Sequence, residues 1–153
     1  MFLVRDTIQS RDEKIRSFLD KESAIAVLLA AADFEWTVRR AILACGTSPM
    51  RELRERILRA CNGPRSYAQC WNKEVTPRFD KELKNVIPDW EVFLKAFQLR
   101  HNLIHGVQGT TGVKYARKRV ETIIAASKAI AEFAAENGAQ IYSARIRRVK
   151  SRL

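Results

Sequence analysis

Long runs of helix-period apolar residues alternate along this chain with short breaks at proline and glycine. Residues 5–20 are charged, with Ile8, Ile15, Phe18 and Leu19 as apolar points, a spacing that predicts an amphipathic helix. A second helix is expected from Asp20 or Ser23 to about Ala44, because Ala and Leu dominate it and both favour helix. Phe34, Val38 and Ile42 keep a four-residue stride there. Its first half, 24–32, is apolar all round, which predicts a place at the centre of a bundle, and Gly46 and Pro49 end it.

Residues 49–61 read as a short helix with Pro49 in its first turn, broken by Asn62-Gly63-Pro64. The stretch 65–76 has apolar anchors at Tyr67, Cys70 and Trp71 but no clear period. Pro77 is expected to start a helix that reaches Val86 or Ile87 before Pro88 stops it. Asp89 is a natural N-cap for a helix from 90 to about 105, with Trp90, Phe93, Phe97 and Ile104 facing inward. A loop bearing Gly106, Gly109 and Gly112 leads into a last helix from 113 to about 136. Ala116, Val120, Ile123, Ile124, Ile130 and Phe133 face inward on it, and Asn137-Gly138 closes it. No Val/Ile/Thr alternation marks a strand. The expected fold is therefore all-α, an up-and-down bundle of about five helices over residues 1–138 with a basic tail over 139–153.

Charge narrows the function classes. Lys and Arg number 28 against 17 Asp and Glu, a net charge of +11, and such an excess points to a polyanion, nucleic acid before others. The tail carries Arg145, Arg147, Arg148, Lys150 and Arg152, either as a solvated end or as an electrostatic arm. The cluster Lys114, Arg117, Lys118 and Arg119 and the arginine-rich stretch 51–65 are ordinarily solvated faces, which would steer RNA only if they flanked a site. Cys45, Cys61 and Cys70 form no CxxC pair, so buried free thiols in a reducing cytoplasm are expected rather than zinc or a disulfide framework. Arg5 and Asp6 interrupt Met1–Val4, so no signal peptide is expected, and no apolar run approaches the length of a bilayer span.

The chemistry concentrates in Arg100-His101-Asn102-Leu103-Ile104-His105-Gly106, which holds both histidines of the chain. Arginine grips phosphate as a fixed fork and histidine moves protons near neutral pH. Five positions on an ideal helix turn through about 140°, so Arg100 and His105 would not share one face. A break at Gly106 would let His105 lie at the last turn and swing toward Arg100 or toward a second subunit. Other readings stand beside this one. His105 could serve the helix C-terminal dipole, Arg100 could be a surface arginine paired with Glu35, and His101 with His105 could be a metal pair lacking an obvious third ligand. The glycine loop lacks the ending of a P-loop and follows no strand. Trp36, Trp71, Trp90, Phe93 and Phe97 read as core, and only Tyr67, Trp71 and Tyr115 lie near loops where a base could stack.

The segment from Phe93 to Gly106 resembles the signature of HEPN domains, small helical bundles that include RNases of toxin–antitoxin and antiphage systems. Arg100 and His105 match the two defining positions of that pattern, and His101 matches the polar position after the arginine. Glu35, less well Asp33, matches an acidic residue on an early core helix. The resemblance, spanning about residues 5–137, implies a metal-independent endoribonuclease without cofactor, acting on RNA as a homodimer that pairs two motifs across a cleft. Arg100 and His105 would be catalytic, with His101, Asn102 and Glu35 in support. The 2′-OH would attack and leave a 2′,3′-cyclic phosphate, and an antitoxin or other partner protein would restrain the enzyme. Two other expectations remain: a non-catalytic HEPN-like module that binds RNA or protein, and a helical DNA-binding regulator, for which no helix–turn–helix spacing is apparent.

Overall fold

The computed structural model describes residues 7–107 and 111–150. Met1–Val4, Arg5, Asp6, Gly109 and Arg152, all used in the sequence reading, lie outside the described residues. Those described are helical or irregular, with no strand among them. Among the described residues there are eight α-helical segments rather than about five: α1 (Ile8–Ser17), α2 (Ser23–Cys45), α3 (Met50–Glu52), α4 (Pro64–Glu74), α5 (Thr76–Phe79), α6 (Leu83–Val86), α7 (Trp90–Ile104) and α8 (Val113–Glu136). The surplus comes from fragmentation. The stretch after Pro49 passes from α3 through a π turn at Leu53–Ile57 to a 3₁₀ turn at Leu58–Ala60. The helix expected from Pro77 is split into α5 and α6 at Asp80, whose φ of 52° no helix accommodates. The indole N–H of Trp71 donates to the Lys81 carbonyl at 2.8 Å and holds that break in place. The ambiguous stretch 65–76 is largely helix, entered through Pro64.

The long helices α2 and α8 form the main packed pair, and α7 lies against both. Asp89 caps α7 as the sequence predicts, accepting from the Val92 N–H at 3.3 Å. α7 runs antiparallel to α2: Phe34 packs on Phe93 and Phe97, Glu35 meets Arg100, and Ser23 donates to the Thr111 carbonyl. All six inward positions expected on α8 are buried. Burial departs from the expectation at the ends of α2 and α7. Ile25 and Leu28 are exposed although their half of α2 is apolar all round, and Ile104 is 50% exposed although it was assigned to the inner face of α7. Tyr67 and Trp71 are fully buried, which removes them as base-stacking residues, while Tyr115 is exposed.

Beyond α8 the chain is irregular but docked. Ile141 and Ile146 are buried, and the Val149 N–H donates to the Ala44 carbonyl at 2.8 Å. Arg40 donates to the Ile141 and Ser143 carbonyls, and Arg148 to those of Gly46 and Ser48. Residues 139–150 thus form a strap along α2 rather than a solvated tail or a free arm.

Candidate functional site

The polar side of α7 builds one wall of an open cleft of about 700 Å³. Glu91, Lys95, Gln98, His101 and His105 line it at steps of three and four residues, the spacing that stacks side chains on one helical face. Glu35 of α2, residues 61–63 and the first turn of α4 close the other side. Leu94, Phe97 and Pro64 add apolar surface.

Arg100 and His105 both line this cleft, so the expected angular separation is overcome. The reason is local. His105 is the C-cap of α7, with φ −89° and ψ 10°, and Gly106 takes φ +68° immediately after it. That left-handed step suits glycine and lets the chain leave the helix while the His105 N–H still reaches the His101 carbonyl at 3.1 Å. The two imidazole rings lie 4.3 Å apart, and both residues are exposed.

The Arg100 guanidinium is 3.8 Å from the Glu35 carboxylate and 5.8 Å from the Phe97 ring centre. Both partners of the ion pair keep a quarter to a third of their side-chain surface in water, at 30% and 26%, so the pair orients Arg100 but contributes less than about 1 kcal/mol. Asp33, the other acidic match, is spent elsewhere. It is buried and accepts from Arg11 at 2.8 Å, and Arg11 in turn stacks 3.7 Å above Trp36. Burial raises the Asp33 carboxyl against the pull of Arg11. Beneath the cleft the Tyr67 hydroxyl accepts from the Arg39 Nε at 2.6 Å; burial first, then Glu35, pushes its pKa up to about 12, so it carries no proton traffic near neutral pH.

Asn102 is not among the residues that line the cleft; its side-chain oxygen accepts from Gln98 at 3.0 Å. The cluster Lys114, Arg117, Lys118 and Arg119 also lies off the cleft wall. Arg117 pairs with Asp20 at 3.2 Å and Arg119 leans on Tyr115. Lys95 and Glu91 are cleft residues that the sequence reading gave no role, and Arg65, the end of the arginine-rich stretch 51–65, does flank the cleft. The signal for the first two was present in the polar stripe 91–95–98–101–105. Arg65 stands in the first turn of α4, a helix whose sequence shows no clear period. Among the described residues no three His, Cys, Asp or Glu side chains are grouped to hold a metal, and no helix is long and apolar enough to cross a membrane. No family model, curated protein or solved structure matches this chain.

Proposed function

We propose that this cleft is the active site of a metal-independent endoribonuclease of the HEPN type. The observation that carries the reading is the convergence of Arg100 and two adjacent imidazoles on a single open cleft. Arg100 holds the scissile phosphate and stabilises the charge that builds on its oxygens. One histidine takes the proton from the ribose 2′-OH as that oxygen attacks phosphorus. The bond from phosphorus to the 5′-oxygen breaks, and the other histidine, or a water, protonates the departing oxygen. The products are a 2′,3′-cyclic phosphate and a 5′-hydroxyl. Glu35 acts through Arg100 as a positioning residue.

The enzyme works as a homodimer. Ile25 and Leu28 on α2 and Ile104 and Val107 at the end of α7 are exposed, and the antiparallel register brings these two ends together beside the cleft. A second copy covering them would set two clefts side by side. Such an activity acts in the cytoplasm on the cell's own or an invader's RNA, as a toxin or antiphage effector restrained by a partner protein.

The test is RNA cleavage in EDTA with end-group analysis. Wild-type protein is expected to leave cyclic phosphate ends, and Arg100→Ala and His105→Ala to stop cleavage while the helical circular dichroism persists. Undiminished cutting by both variants would exclude this site. Salt-sensitive RNA binding with no product at any pH between about 5 and 9 would make the protein a binding module instead.

A further inference from the structure

Arginines in this protein commonly face a carboxylate, as Arg16 does with Glu121, Arg56 with Glu52 and Arg117 with Asp20. The strap region differs. Arg40, Arg78 and Arg148 direct their guanidinium hydrogens to backbone carbonyls: Arg40 to Ile141 and Ser143, Arg78 to Cys45, Gly46 and Val149, Arg148 to Gly46 and Ser48. A carbonyl satisfies an N–H but cancels no net charge. The Arg148 Nε is buried and has no hydrogen-bond partner. Glu74 draws on Arg148, but its two carboxylate oxygens already accept from Thr47 and Ser48. Burial and then the neighbouring Arg78 hold Arg148 below its ordinary pKa, and burial and then Arg11 and Arg54 do the same to Arg40. Arg148 is crowded by Arg78 with Glu74 as the one carboxylate acting on it, and Arg40 is crowded by Arg11 and Arg54.

At the strap a hollow of about 460 Å³ is lined by Gln140, Ser143, Arg145, Arg147, Arg148 and Val149, with Gly138 at its edge and no acid among its lining residues. Arg145 and Arg147 are exposed. We propose that this hollow is a second nucleic-acid contact that takes backbone phosphates of RNA, apart from the cleft.

Guanidinium forks suit phosphate oxygens, and the hollow adds the amide of Gln140 and the hydroxyl of Ser143. Its one larger apolar lining residue, Val149, is partly buried against the core, and none of the large exposed apolar side chains lines it. It therefore has nothing to insert into a bilayer and no apolar anchor for a protein partner. Eleven residues of α2 separate Glu35, at the cleft, from Gly46, under the strap, about 16 Å of helix. The inference rests on RNA as the substrate class, and its test is read by binding rather than by cleavage.

The experiment measures anisotropy of a short labelled single-stranded RNA against the His105→Ala protein across a potassium chloride series. Arg100→Ala serves as a second uncleaving background. Adding Arg145→Ala and Arg147→Ala together is expected to weaken binding about tenfold at physiological salt. It should also lower the slope of log K against log salt by about 1.4, two phosphates at about 0.7 each. Thermal melts confirm that the variants are folded. An unchanged affinity and slope overturns the inference, as does failure of both backgrounds to bind RNA. Displacement of RNA by inorganic phosphate at matched ionic strength would make the hollow a small-anion site, and loss of phosphatidylserine vesicle binding with RNA binding intact would make it a lipid contact. Either result overturns it. RNA cutting undiminished in Arg100→Ala and His105→Ala would sink the proposed active site while leaving this binding result standing.

Discussion

Arg100 and Glu35 meet at 3.8 Å, a separation at which the carboxylate aims the guanidinium without neutralising it fully. Glu35→Gln is accordingly expected to lower kcat about fivefold with little change in KM, within the roughly 1 kcal/mol that an exposed pair can supply. A loss as deep as that of Arg100→Ala in the same steady-state assay would make Glu35 a catalytic group instead. His105→Ala should cost about 10²–10⁴ in kcat, the span of a general acid or base. Glu74 answers to stability rather than activity. Burial raises its pKa, but the hydrogen bonds from Ser48 and Thr47 outweigh that and hold the carboxyl below its ordinary 4.5. Its contribution is therefore present at neutral pH and is lost as pH falls below about 4.5 through the folded value. Glu74→Gln should lose about 1–3 kcal/mol at pH 7 and show a shallower acid limb in urea titrations taken at successive pH values.

Among the elements, the two helix exits at Gly46 and Gly106 use glycine for different reasons. A Cβ at Gly46 would stand 2.6 Å from the Ile42 carbonyl oxygen and 3.1 Å from a Leu53 methyl, so Gly46→Ala should destabilise the fold by about 1–3 kcal/mol. Gly106 has open space around it but a φ of +68°. Gly106→Ala should cost only about 1–2 kcal/mol in a thermal melt yet disturb His105, lowering cleavage by more than its stability loss accounts for. Helix ends of this kind were legible in the sequence, because Gly46, Asp89, Gly106 and Asn137-Gly138 carry their own backbone chemistry. The clustering of Arg100 with His101 and His105 was legible as a motif, although ideal helix geometry argued against a shared face. What periodicity could not supply was the break at Asp80, which depends on the tertiary bond from Trp71 to Lys81. The exposure of Ile104 and Leu28 was equally hidden, since an apolar residue reads the same in sequence whether it faces a core or a partner. Arg11 was read only as part of a charged helix, because its burial depends on Asp33, Trp36 and Tyr142 coming from elsewhere in the chain.

For the whole molecule, the proposed homodimer on the exposed ends of α2 and α7 would make activity depend on protein concentration. Leu28→Glu combined with Ile104→Glu is expected to shift the protein to monomer by light scattering and to remove cleavage, while leaving the melting transition near that of wild type. Full activity from a demonstrated monomer would confine the chemistry to one cleft. The strap is the other feature that acts across the entire fold. Trp36 lies where it docks, 5.5 Å from the Tyr142 ring and between the guanidinium groups of Arg11 and Arg40. An indole held between cations and a phenol reports its surroundings through its emission, so the share of Trp36, taken by difference against Trp36→Phe because Trp71 and Trp90 also emit, is a label-free fluorescent gauge of whether the strap is seated.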